Sequence, residues 1–233
     1  MPVKNYKHIF FDLDRTLWDF DKNSNETFLE IHNKYTLEAR GVPGFYDFCS
    51  VYRDINLSLW DDYRKGLILK EVMNVKRFSL TLSSFGIEDD ALSVNMAEDY
   101  IRISPTKNHL YDGAIQMLDY LQDKYTLHII TNGFEEVQHK KLEHSGLNKY
   151  FTHVITSEDA GFKKPDINIF RYACAIAGAG VTDSLMIGDD LEVDIIGAAA
   201  AGIDQLLVDF EYKYPESGAT YTVHALEEII GIL

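Results

Sequence analysis

Residues 8–20 read HIFFDLDRTLWDF. The apolar run of Ile9, Phe10, Phe11 and Leu13 has the character of a buried strand, yet Asp12 and Asp14 stand at its end. Side chains two apart on a strand share a face. At roughly 5 Å and an effective dielectric near 20, two carboxylates repel by about 3 kcal/mol. A chain that folds with this repulsion needs a cation between the acids or a chemical use for both.

Outward from this stretch, the sequence beyond Pro105 alternates helix and strand. GAIQMLDYLQDKY (113–125) is amphipathic, TLHIITNG (126–133) is a strand ending in small polar residues, EEVQHKKLEHSG (135–146) is a helix with a glycine stop, and THVITSED (152–159) is a strand. PDINIFRYACAIAG (165–178) then begins a helix at its proline, followed by the strand SLMIGDD (184–190), the helix VDIIGAAAAG (193–202) and the strand DQLLVD (204–209). Such alternation predicts an α/β fold with a doubly wound parallel sheet. The block from about Asn23 to Ile103 carries aromatic and aliphatic stripes at helical spacing and no strand pattern. Its first helix is expected at NSNETFLEIHNKY (23–35), where Asn23 and Glu26 resemble a capping box. The expected organisation is therefore a core domain of residues 1–17 and 106–233 with an all-helical domain inserted at 18–105.

Composition narrows the partners. With 233 residues, 46% of them hydrophobic, the chain is long enough for a substantial core and an inserted module. A formal net charge of −15 argues against a nucleic-acid polymer or an anionic membrane surface as partner. Cys49 and Cys174 lie far apart without metal-ligand spacing, which suits buried thiols in a reducing cytoplasm. No secretory leader pattern or long uninterrupted apolar stretch is visible. The expected partner is a small phosphorylated metabolite, and the expected state a monomer or small homo-oligomer.

In an open parallel sheet, ligands bind beyond the carboxyl ends of the strands. Asp12 and Asp14, Thr131 and Asn132, Lys164, and Asp189 with Asp190 all fall at such ends. Clustered carboxylates with oxygen-only donors suit a hard divalent cation, and few carboxylates with several waters suit Mg²⁺ better than Ca²⁺. Lys164 can hold a neighbouring carboxylate ionised and face an anion. The Thr131 hydroxyl, the Asn132 amide and the backbone around Gly133 offer donors to phosphate oxygens. The chemistry implied is phosphoryl transfer, with Asp12 as nucleophile and Asp14 as the acid and base.

These residues resemble the haloacid dehalogenase superfamily of phosphohydrolases. DLDRT (12–16) is similar to its first motif D-x-D-x-T, TNG (131–133) to its second, KKPD (163–166) to its third and GDDLEVD (188–194) to its fourth. The resemblance spans nearly the whole chain and implies a Rossmann-like core with a helical cap. It implies metal contacts from Asp12, from the backbone carbonyl of Asp14 and from Asp189, phosphate contacts from Thr131 and Lys164, and a supporting carboxylate at Asp194. Dehalogenases of the superfamily lack the second aspartate, so Asp14 points to a phosphatase. TLWDF, KRF, TNGFEEVQHKKLEHSGL and KPDINIF further resemble its pyrimidine 5'-nucleotidase branch. The alternatives are a sugar phosphate or phosphoglycolate phosphatase, or a phosphomutase, of the same family. More distant is a receiver-type phosphorylation switch, which places its acids differently and carries no large helical insertion.

Plainer roles accompany these. Asp190 and Glu192 suit helix N-terminal acids. Trp60, Tyr63, Arg64, Arg77 and Phe78 suit packing or solvated surface, whereas Trp18, Phe20 and Phe134 stand beside the motifs and are expected at substrate. The eight histidines have no ligand spacing and read as solvated.

Overall fold

The computed structural model describes residues 4–233. Six strands, β1 (His8–Phe11), β2 (Thr126–Thr131), β3 (Phe151–Thr156), β4 (Ser184–Gly188), β5 (Asp204–Val208) and β6 (Tyr221–Val223), form one sheet in the order β3-β2-β1-β4-β5-β6. Every adjacent pair is parallel. The strand β1 pairs with β2 on one side, Phe11 opposite Ile129, and with β4 on the other, Phe11 opposite Ile187. The strand order reverses at β1, so a crevice opens at its carboxyl end. Asp12 is the first residue there.

The apolar run is continuous because both faces of β1 are covered. Ile9 and Phe11 enter one core with Met117, Leu118 and Leu121 of helix α5 (Ala114–Gln122) and Leu142 of α6 (Glu135–His144). Phe10 enters the opposite core with Ile169, Phe170 and Ala173 of α8 (Ile167–Ala177) and Ala198 of α9 (Gly197–Ala201). The helix α7 (Ser157–Ala160) follows β3. Three local readings change. The helix expected from Pro165 starts at Ile167, capped by Asp166, whose side chain accepts from the Asn168 amide. The helix expected at 193–202 is a π-helical turn, Leu191–Ile196, before α9. The three residues of β6 are too few to show a period in the sequence.

The chain divides into two compact units, Met1–Phe20 with Asn108–Leu233, and Asp21–Lys107. The second unit consists of α1 (Phe20–Lys34), α2 (Phe45–Arg64), α3 (Lys70–Ser83) and α4 (Asp90–Ile103) with short 3-10 turns. Its core is aromatic: Phe28 lies 4.4 Å from Tyr52 and stacks on Tyr100 at 5.1 Å between centroids. Phe78 and Tyr63 are buried, and Arg77 is buried against Tyr100 at 4.7 Å, so these three pack. Asn23 does not cap α1: the helix begins three residues earlier and Asn23 lies buried inside it. No described helix is long and apolar enough to cross a membrane, and both cysteines are buried free thiols.

The histidines are not all solvated. His32 and His128 are buried. On the sheet His128 stacks between His8 and His153, its Nε2 3.2 Å from His8 Nδ1. Burial first, then the neighbouring histidines, push its pKa down to about 4. A base depressed in the folded state leaves stability intact above its unfolded pKa near 6.5 and withdraws it as pH falls toward 4. His128 should therefore cost about 2 kcal/mol between pH 7 and pH 5. Because the buried acids described below respond in the opposite sense, the readout is the difference between wild type and His128→Leu in urea unfolding at the two pH values. That difference should shift by about this amount in favour of the variant at pH 5; an unchanged difference contradicts a buried neutral His128.

Candidate active site

The crevice at the end of β1 is built around one lysine. Lys164 is 1% exposed, and its Nζ donates to Asp12 Oδ1 and to Asp194 Oδ1, both at 2.6 Å. Its backbone is fixed by Asn132, whose Oδ1 accepts from the Lys164 N–H at 2.8 Å and whose Nδ2 donates to the Lys164 carbonyl at 2.9 Å. The loops after β2 and β3 are thus tied together at the point where the ammonium group enters the site. The Asn132 amide, expected on phosphate, is committed to this tie.

The fourth motif is shaped by close approach. A Cβ on Gly188 would lie 2.3 Å from the Asp194 carboxylate, so only glycine lets Asp194 rest against the end of β4. The π-helical turn carries Asp194 into this position, and its Oδ2 accepts from the Asp190 N–H at 3.2 Å. Asp190 itself is exposed and caps the turn, accepting from the Glu192 and Val193 amides. Asp189 points into the site and accepts from Thr16 Oγ1 at 3.1 Å.

Asp14 lies beyond the end of β1, next to Arg15 in the left-handed region (φ 66°). Its Oδ1 accepts from Lys141 Nζ at 2.5 Å and its Oδ2 from Gln138 Nε2 at 3.1 Å. The two acids of the first motif therefore have separate lysines, Asp12 with Lys164 and Asp14 with Lys141. That pairing relieves the repulsion the sequence implied. Gln138 Nε2 also donates to Thr131 Oγ1 at 2.7 Å, and the Gly133 N–H donates to the same oxygen at 3.0 Å. With its oxygen accepting twice, Thr131 keeps its hydroxyl proton for an acceptor in the crevice. Gly133 makes room for Gln138, whose side chain lies 2.4 Å from where a Cβ would sit.

Gln138 and Lys141 were missed in the sequence. Both are buried polar residues on the inner face of α6, in line with Phe134 and Leu142. Polar residues at i+4 and i+7 of an otherwise apolar stripe are the signal that could have found them. Trp18 and Phe134, expected at substrate, are both buried. The Trp18 ring lies 4.2 Å from the Lys141 ammonium, and Phe20, half-buried, carries the Arg15 guanidinium at 4.3 Å.

Electrostatically the site lacks positive charge. The carboxylates of Asp12, Asp189 and Asp194 offer oxygens all within 4.8 Å of one another, with Lys164 between two of them. Burial is the largest cause pushing Asp12 up to about 7, opposed by Lys164 and reinforced by Asp194. Burial and the charge of Asp12 also raise Asp189 well above the usual carboxylate range, and burial raises Asp194. Lys164, answering two carboxylates, is raised. Two buried acids and a half-buried one against one lysine, with oxygen donors only, fit a hard divalent cation such as Mg²⁺.

The comparisons with known proteins agree with this site. Residues 6–202 match the family model of haloacid dehalogenase-like hydrolases. The HAD-hydrolase YfnB of Bacillus subtilis is 32% identical over 99% of this chain and 97% of its own. A crystal structure of YfnB bound to magnesium superposes with a TM-score of 0.88, covering 99% of both chains. The pyrimidine 5'-nucleotidase PynA of Streptococcus pneumoniae is 32% identical over 98% of this chain and 95% of its own. YjjG of Escherichia coli, also named a pyrimidine 5'-nucleotidase, is 32% identical over 97% of this chain and 96% of its own. A match over most of the chain, full-length relatives and motifs converging at the end of β1 lead to one assignment: the chain is a hydrolase of the haloacid dehalogenase-like family.

Proposed function

We propose that this hydrolase removes phosphate from small phosphomonoesters through a phospho-aspartate at Asp12, with pyrimidine nucleoside 5'-monophosphates as its substrate class. The observation that carries the mechanism is the buried Asp12 carboxylate held at 2.6 Å by Lys164 in a cluster of acids. The substrate class is supported by the two full-length relatives named for that activity.

An Asp12 oxygen attacks phosphorus, the bond from phosphorus to the ester oxygen breaks, and the alcohol leaves with a proton from Asp14. Water then attacks the phospho-aspartate, Asp14 takes its proton, and inorganic phosphate departs as the Asp12 carboxylate is regenerated. Lys164 and the Thr131 hydroxyl bind phosphate oxygens, and Asn132 holds Lys164 in place while its main chain faces the same oxygens. Asp12, Asp189 and the Asp14 carbonyl would hold Mg²⁺, with Asp194 supporting through Lys164. When bound, the ion supplies charge neutralisation for the transferring phosphoryl group. Substrate selection is assigned to the inserted helical unit.

Phosphate release from a panel of pyrimidine and purine 5'-monophosphates, sugar phosphates and phosphoglycolate, with Mg²⁺ and with chelator, tests this reading. Release favouring the pyrimidine nucleotides and lost with chelator is expected. A sugar-directed ranking contradicts the substrate class, and undiminished release in chelator contradicts the metal site.

A further inference from the structure

We infer that Lys141, together with Gln138, is the positioning residue for Asp14, fixing the orientation of its carboxylate for work on the reacting phosphate. The inference rests on the proposed role of Asp14. A carboxylate on a short side chain rotates freely about two bonds, and one hydrogen bond does not fix its plane. Asp14 has both oxygens engaged by α6, Oδ1 by Lys141 and Oδ2 by Gln138. Lys141 is 4% exposed and is itself held over the Trp18 ring, so its ammonium cannot swing into solvent and leave Asp14 behind. Gln138 spans to Thr131 Oγ1. One side chain therefore couples the orientation of Asp14 to the hydroxyl proposed for phosphate.

The placement is otherwise hard to explain. Burying a lysine is costly unless it is paired, and an apolar residue at position 141 would continue the stripe of Phe134 and Leu142. Gln138 fills the space that glycine at 133 leaves open. Two polar side chains on the core-facing side of one helix converge on a single carboxylate.

The two steps of the reaction make different demands on Asp14. An aryl phosphate such as p-nitrophenyl phosphate has a leaving group that departs without a proton, so only attack of water on the phospho-aspartate needs Asp14. Loss of orientation should then stall the second step alone. In Lys141→Met, kcat for p-nitrophenyl phosphate should fall on the order of 30-fold with KM lowered, since the slow step now follows chemistry. A pre-steady-state burst of nitrophenolate approaching one equivalent of enzyme should appear, larger than the partial burst of wild type. Lys141→Arg, which keeps the charge and the donor, should return the burst to its wild-type size and restore most of kcat. Gln138→Leu should show a smaller loss of the same kind.

Asp14→Asn is run alongside. If its burst exceeds that of wild type and the burst of Lys141→Met does not, with the melting temperature alone changed, Lys141 is a packing residue and the inference is overturned. If Asp14→Asn itself turns over normally, the role assigned to Asp14 fails. Should Lys141→Met slow Asp14→Asn as much as it slows wild type, Lys141 acts elsewhere and the inference is overturned.

Discussion

Asp12→Asn is expected to lower turnover by at least about 10⁴-fold while leaving the folded protein as stable as wild type. The amide keeps the shape of the carboxylate but is a poor nucleophile, and no second acid stands where Asp12 meets Lys164. Asp194 shares that lysine, but it lies against the end of β4 with Oδ2 occupied by the Asp190 N–H. On stability the substitution removes one of three carboxylates that repel one another and are raised by burial. Lys164 keeps a partner in Asp194. Steady-state kinetics and thermal unfolding on the same preparation check both halves. Retained turnover removes Asp12 from the nucleophile's role, whereas a large loss of stability means that Asp12 is needed mainly to pair Lys164.

Lys164→Met has the opposite balance. Methionine matches the length of the lysine stem and packs in its place, but it leaves Asp12 and Asp194 without the cation that each meets at 2.6 Å. Breaking a buried pair by removing one partner costs about 3–5 kcal/mol, because the remaining charge is stranded. Here two carboxylates are stranded at once. The variant should unfold at distinctly lower urea, with turnover down by roughly 10³-fold since the phosphate also loses its lysine. Added Mg²⁺ should return part of the stability, as it supplies positive charge to the same acids. Wild-type stability in Lys164→Met contradicts the electrostatic account of the cluster.

Much of this is readable in the sequence, for physical reasons that differ by residue. Ile9 to Phe11 is apolar without alternation because both faces of the central strand are buried, so sheet class and site location follow from one short run. The motif residues were legible because strand ends in such a sheet converge. Less legible was anything decided by tertiary pairing. The lysine that answers Asp14 stands on a helix more than a hundred residues away. Lys141 looks like any lysine of a charged helix until α6 is turned to show which face is buried. His128 carries a signal of its own: it sits inside an apolar parallel-strand run, where a polar side chain is buried by its neighbours. The start of α1 was misplaced because a capping pattern at Asn23 is a local preference, and burial of Asn23 within the unit overrides it.

The most direct test of the central claim is to quench the enzyme in acid during turnover of an aryl phosphate with Mg²⁺ and to map covalent phosphate on its peptides by mass spectrometry. The account predicts one phosphate on the peptide containing Asp12, labile to hydroxylamine as an acyl phosphate is, and absent from Asp12→Asn. Steady phosphate release with no such adduct at any quench time, together with turnover by Asp12→Asn, would contradict it.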